Sequence, residues 1–229
     1  MRSVGLASFE AVVKETDLFI SASRDLKKEA LGSITRHRAS LENYIKSHEY
    51  FRTSLGPVDV KESAPEIAKA MARAGRAAGV GPMAAVAGAM AEYVGRDLLK
   101  LSDEVVVENG GDIFLKIDKI RTMGIFAGER SPFTGKLTME ISPNEKGMGI
   151  CTSSGTVSHS LSFGNADAAL IISDDAALAD AMATAAGNMV KSAGDIEKAI
   201  AFAKSVKGIR GVLIIVGDKL GTWGEVRLV

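Results

Sequence analysis

Asp180 and Thr184 stand four residues apart in a segment otherwise built of Ala, Leu and Met, ALADAMAT. On a helix that spacing sets a carboxylate and a hydroxyl about 6 Å apart along one face. A carboxylate among apolar neighbours is costly to desolvate unless it is paired or binds a cation. Mg2+ prefers oxygen ligands and often takes one carboxylate together with hydroxyl, carbonyl, water and substrate phosphate oxygens, so the pair is a candidate metal site. The alternative has Thr184 bonding back to the Asp180 carbonyl while Asp180 faces solvent. Spacing alone leaves both readings open.

Three further groups have usable chemistry. Thr152, Ser153, Ser154 and Gly155 offer hydroxyls and backbone N–H groups suited to phosphate oxygens, although Ser/Thr/Gly clusters also form ordinary loops. His159, a little further on, has a side chain whose ordinary pKa near 6.5 permits general-base work at neutral pH, against the commoner fate of a structural histidine. Cys151 directly precedes the hydroxyl loop, where neighbouring N–H groups could lower a thiol pKa and let it carry sulfur or an acyl group; the plainer reading is a small buried hydrophobe. Asn109-Gly110-Gly111-Asp112 lies between VVV and IFL. Its glycines permit a tight turn and close approach of a ligand to the backbone, with Asp112 presenting a carboxylate, and spacing favours the turn.

These groups must be held by elements that the periodicity outlines. Ala11 to Ile20 reads as two short strand segments around a Lys14 to Asp17 turn, and residues 23 to 51 carry apolar residues at helical spacing. Ser63 and Glu66 fit a capping box for a helix ending near Gly79. A helix poor in large side chains is expected from Pro82 to about Leu99, its Gly88 pointing to tight packing or close passage of a ligand. Strands are expected at 105–107, 113–117, 137–141, 149–151 and 168–172. Helices should follow over 175–190 and 195–206, and a closing hairpin should join 212–216 to 223–228 around Gly217 to Gly221. Strands and helices without strict βαβ alternation indicate an α+β fold, and no linker divides the chain.

Composition excludes more than it assigns. The 229 residues are 46% hydrophobic, enough for a core burying roughly 70% of the unfolded surface. Twenty-eight basic and 28 acidic residues cancel, so no global field favours nucleic acid or an anionic membrane. The single cysteine rules out an internal disulfide framework. With no signal-like N-terminus and no apolar run of membrane-spanning length, the expected compartment is the cytoplasm. Oligomeric state is left open, a homo-oligomer included.

Taken in order, NGGD, TSSG and ADAMAT resemble the ApbE-like proteins, the FAD:protein FMN transferases, in which a GGD segment, a TSG segment and an aDalaT helix occur in the same sequence. The resemblance covers about Gly81 to Val190. Together with ENGGDIF, SPFTGK, GICTSSGT and GDKLGTWGE, it identifies a cytoplasmic branch of that superfamily. It implies one ApbE-like, T-fold-like mixed sheet packed with helices over residues 1–229, the first 60 being less clearly matched. It also implies FAD as ligand or substrate near Asn109 to Asp112 and Thr152 to Gly155, Mg2+ on Asp180 and Thr184, and an acceptor protein whose Ser or Thr receives FMN. Two departures stand out: His159-Ser160-Leu161-Ser162-Phe163-Gly164 replaces the family's HxxDPxTG segment, and Ala87-Gly88 replaces its lysine-glycine pair.

Overall fold

The short apolar runs become the strands of one antiparallel sheet buried on both faces. Along β9 (Ile209–Val216), Val212 and Ile214 join the core beneath the helices, while Leu213 and Ile215 join a second core on the opposite face. The same alternation holds in β8 (Ala168–Ser173), where Ala169 and Ile171 face the helices and Leu170 and Ile172 face away. Successive side chains point to opposite sides of a strand, so a continuous apolar run is what a strand between two layers needs.

The computed structural model describes residues 5–128, 131–155 and 164–229. The remaining strands are β1 (Ala7–Val13), β2 (Thr16–Ala22), β3 (Val105–Asn109), β4 (Asp112–Lys116), β5 (Arg121–Gly124), β6 (Thr138–Ile141), β7 (Met148–Ser153), β10 (Lys219–Gly224) and β11 (Arg227–Leu228). The main sheet runs β1-β2-β3-β4-β7-β8-β9-β10, and a three-stranded sheet, β11-β6-β5, covers part of its outer face. The helices are α1 (Lys27–Ser47), α2 (Glu49–Thr53), α3 (Glu66–Ala78), α4 (Val86–Leu98), α5 (Ala176–Met189) and α6 (Ile196–Lys204). They supply the inner layer, so the expected α+β class is what forms. The first two strands belong to the same sheet as the rest, β2 pairing with β3 from Phe19↔Glu108 to Ala22↔Val105.

Several local expectations change. Ser63 caps nothing, because α3 starts at Glu66 with Pro65 at the cap position and without a side-chain cap, leaving Ser63 too far upstream. Pro82–Ala85 forms a single 3₁₀ turn before α4 rather than its first α-helical turn. The closing hairpin is tighter than expected. Lys219 pairs with Val216 across Gly217-Asp218, which places Gly221 inside β10, and Arg227–Leu228 crosses to the small sheet to pair with Glu140 and Met139. The whole strand β5 escapes the periodicity reading because, in RTMG, only Arg121 and Met123 turn inward.

Candidate active site

Three elements converge on a buried acidic cluster. The first is the β3–β4 hairpin, whose two turn residues, Gly110 at φ 63° and Gly111 at φ 106°, occupy the left-handed region that the tightest hairpin turns require. Pairing of Asn109 with Asp112 across that turn fixes Asp112 as the first residue of β4. Asn109 also donates from Nδ2 to the Ala87 carbonyl at 3.1 Å, tying the hairpin to the start of α4.

β7 lies beside β4, with Ile113 opposite Ile150, so Asp112 and Cys151 are the next residues along that ladder and share the helix-facing side. Above them runs α5. Its Ala, Met and Gly side chains are buried nearly all round the helix, and glycines on both sides let it come close. A Cβ at Gly88 of α4 would lie 2.2 Å from the Ala176 carbonyl oxygen, and one at Gly149 of β7 would lie 2.3 Å from the Ala176 Cα. The α5 N-terminus is held by Asp175, which accepts from the Leu178 N–H at 2.8 Å, and by Glu92 of α4, which accepts from the Ala176 N–H at 2.7 Å.

This grip sets Asp180, only 9% exposed, against the first turn of α4, where its Oδ2 accepts the Gly88 N–H at 2.9 Å. Helix α4 has no side-chain cap of its own, so Asp180 satisfies a first-turn donor from across the interface. Even so, burial raises the Asp180 carboxyl well above the usual carboxylate range, with the nearby Asp112 charge adding to it. Burial pushes half-buried Asp112 up to about 7, opposed by hydrogen bonds from the Cys151 thiol and the Thr152 N–H. Two carboxylates in one apolar place repel, and a bound cation relieves that repulsion.

Thr184 lies one turn beyond Asp180, half-buried, and its hydroxyl makes no hydrogen bond among the described residues, so the back-bond to the Asp180 carbonyl does not form. Ser153, at the end of β7, is 7% exposed, and its Oγ is buried without a partner. It faces the later turns of α5, since a Cβ built on Gly187 would lie 3.8 Å from that Oγ. An unpaired buried hydroxyl costs about 1–3 kcal/mol, which a ligand oxygen can recover. The donor set of one or two carboxylates with free hydroxyls fits Mg2+, which completes its shell with water and phosphate oxygens. No group of three or more His, Cys, Asp or Glu gathers for a metal among the described residues.

The sequence candidates therefore divide. Asp112, Cys151 and Asp180 meet in one cluster, Asn109 supports its edge, and Thr152, Ser153 and Ser154 border it on β7 and just beyond. Gly110 and Gly111 act as turn formers. Gly155 is needed for space: a Cβ there would lie 2.1 Å from the Gly164 carbonyl oxygen, while its backbone stays outside the left-handed region. Cys151 is fully buried, its one thiol hydrogen lies between Asp112 and the Ala176 carbonyl at 3.4 Å, and its pKa is raised first by burial and then by the Asp112 and Asp180 charges. Those surroundings oppose a thiolate, so the sulfur-carrying alternative loses its support. His159 lies outside the described residues. Glu92, buried and paired with Arg96 at 2.6 Å, was the residue missed. Its signal was present as a carboxylate set among the small residues of α4, the same pattern that marked Asp180.

This sheet-and-helix arrangement defines an α+β protein of the ApbE type. It aligns with Pseudomonas stutzeri flavinyl transferase ApbE at a TM-score of 0.60, covering 96% of this chain and 94% of that one at 13% identity. Flavin transferase ApbE from Vibrio cholerae aligns at 0.56, with 96% and 97% covered and 15% identity. The family model described as AbpE bacteria matches residues 2–227, and the chain belongs to that family. Among its relatives are a UPF0280 protein of Methanosarcina acetivorans, 43% identical over 93% of this chain and 85% of its own length, and one of Methanococcus aeolicus, 41% identical over 86% and 81%. No described helix is long and apolar enough to cross a membrane.

Proposed function

We propose that this protein is a magnesium-dependent enzyme acting on FAD or a related nucleotide-containing substrate in the cytoplasm, transferring FMN to a Ser or Thr of an acceptor protein with release of AMP. The observation that carries this reading is the pairing of two mutually repelling carboxylates with the unpartnered hydroxyls of Thr184 and Ser153 around α5. Membership of a family whose fold is shared with flavin transferases supports the choice of substrate.

In this reading Asp180 and Thr184 hold Mg2+, with Asp112 adding a second carboxylate. The metal supplies positive charge to neutralise the pyrophosphate as its P–O bond breaks. Ser153 Oγ donates to a phosphate oxygen, and the Thr152 to Gly155 segment lines the same cleft. Asn109 holds the rim against the start of α4. The acceptor hydroxyl attacks the FMN-side phosphorus, its proton passes to a base assigned to His159, and AMP leaves with the bridging oxygen.

The test is incubation of the purified protein with FAD and Mg2+, with and without chelator, while AMP is followed chromatographically. Sustained, chelator-sensitive AMP formation is expected. A second reading, a flavin or nucleotide binder without transfer chemistry, is favoured by His159 to Gly164 standing where the family's HxxDPxTG segment belongs. Stoichiometric FAD binding with no AMP would select that reading, and no binding of either kind would remove both.

A further inference from the structure

Glu92 of α4 is 6% exposed and spends both carboxylate oxygens on the elements that flank the acidic cluster. Its Oε2 accepts the Ala176 N–H at 2.7 Å, while its Oε1 accepts Arg96 Nε at 2.7 Å and lies 2.6 Å from Arg96 Nη2. Both oxygens accept, the arrangement of an ionised carboxylate, although burial and the nearby Asp175 charge raise its pKa. Capping α5 does not account for it. Asp175 already does so, accepting the Leu178 N–H within the first turn of the helix, so Glu92 adds a link between elements.

The two links lead to opposite sides of the cluster. Ala176 is the point where α5 is gripped, fully buried between Gly88 and Gly149, and from it the helix rises one turn to Asp180 and a second to Thr184. Arg96 lays its guanidinium over the Phe114 ring, 5.3 Å from the centroid. Phe114 stands two residues after Asp112 on β4 and faces the helices as Asp112 does. Its ring has no room to move: a Cβ at Gly95 would lie 2.3 Å from Phe114 Cδ1, and one at Gly147 would lie 2.5 Å from Cζ. One oxygen of Glu92 thus holds the helix of Asp180, and the other, through Arg96, holds the strand of Asp112.

We propose that Glu92 is a positioning residue that fixes Asp112 against Asp180 and Thr184, and so sets the preference of that site for Mg2+ over the larger Ca2+. The proposal rests on the reading of those three residues as metal ligands. Mg2+ demands near-ideal octahedral geometry with bonds of about 2.1 Å, whereas Ca2+ accepts longer bonds and irregular shells. A braced pair of carboxylates suits the first ion, and a slack pair penalises Mg2+ more than Ca2+. Groups that orient metal ligands from outside the coordination shell are worth about 10–100-fold in affinity.

Glu92→Gln is nearly isosteric, but its amide keeps one acceptor and turns the other into a donor, so either Ala176 or Arg96 loses its partner. Calorimetric titration of the purified chain with Mg2+ alone and with Ca2+ alone reads the effect. Mg2+ affinity is expected to fall about tenfold and Ca2+ affinity by less than about threefold. Asp175→Ala removes a bond internal to α5 and leaves the brace intact, so it should lower Tm yet keep the wild-type ratio of the two affinities; a merely structural Glu92 would leave that ratio unchanged as well. Arg96→Lys keeps a charge beside Glu92 but loses the planar group over Phe114, and should shift the ratio in the same direction by a smaller factor. If Glu92→Gln does not fold, Arg96→Lys alone decides, and a wild-type ratio there overturns the proposal. A folded Glu92→Gln protein with the wild-type ratio, or a wild type that favours Ca2+, overturns it while leaving the metal site standing. A wild-type chain that binds neither ion overturns both.

Discussion

Replacing Gly88 by alanine gives opposite signs under the two accounts of why a glycine sits inside α4. Helix propensity alone favours alanine by about 1 kcal/mol, so a glycine with room around it should yield a more stable protein. Here the new Cβ would lie 2.2 Å from the Ala176 carbonyl oxygen and 2.8 Å from the Asp180 Cβ. Contact between carbon and oxygen requires the two helices to part by roughly 1 Å. Overpacking of that kind costs about 1–3 kcal/mol, and the shift also stretches the 2.9 Å bond from the Gly88 N–H to Asp180. Adding about 1 kcal/mol for the weakened hydrogen bond and subtracting the gain of about 1 kcal/mol in helix propensity, the net expectation is a loss of about 1–3 kcal/mol, or a fall in Tm of roughly 2–12 °C for a chain of this size. Thermal unfolding followed by circular dichroism measures it, with FAD affinity recorded in parallel because α5 carries the site. A Gly88→Ala protein that melts at or above the wild-type temperature would refute the claim that glycine is needed for close approach.

Asp180→Asn keeps an oxygen for the Gly88 N–H but removes the charge that faces Asp112, so Tm in chelator should equal or exceed wild type while the rise in Tm on adding Mg2+ disappears; unchanged Mg2+-dependent nucleotide binding would return Asp180 to a purely capping role. Ser153→Ala deletes a buried hydroxyl that has no partner, and the ligand-free protein should be as stable or slightly more so, with FAD affinity falling about five- to tenfold by calorimetry; equal affinity would take Ser153 out of the site. Asp97 gives a pH test away from the site. Burial raises its pKa, yet hydrogen bonds from Lys100, Ser33 and His37 outweigh burial and leave it depressed. A carboxylate depressed on folding contributes stability above its unfolded pKa of about 3.9, and loses it as pH falls through the folded value. Asp97→Asn should therefore destabilise the protein at pH 7 in urea titrations and do so progressively less below about pH 4; a pH-independent difference would mean that the carboxylate charge is not what matters.

The sequence was readable where one physical requirement acted alone. Ala168 to Ile172 must be apolar on both faces, and the adjacent glycines of NGGD must turn the chain, so both were plain before any coordinates. Asp180 and Glu92 stood out for a related reason, each a carboxylate in a stretch of small apolar residues, although only the first drew notice. What the pattern hid was long-range. Gly88 and Gly149 look like weak points of a helix and a strand, and become necessary only when Ala176 is seen between them. Asp112 and Cys151 look like separate candidates until the register of β4 on β7 makes them neighbours, and the same closeness removes the conditions for a reactive thiol. β5 was illegible because half of its four side chains face out, and Arg121 is one of the two that face in.

Strands β2 and β3 are neighbours in the sheet, yet four helices and a 3₁₀ turn are threaded between them along the chain. Closing a loop of that length adds little to its equilibrium cost, because the cost grows only with the logarithm of loop length. Its effect falls on time. As the chain emerges from the ribosome, the first hairpin can cover only part of α1, and the apolar face of α4 waits for β3 and β4 to arrive. The small sheet waits longer still, since β6 finds β11 only after β7 to β10 have been made. The outer core of Leu115, Ile117, Met139 and Ile150 is therefore the last to be sealed. In refolding from denaturant, protection of that face from hydrogen exchange should lag behind protection of the β7–β9 strands beneath α5.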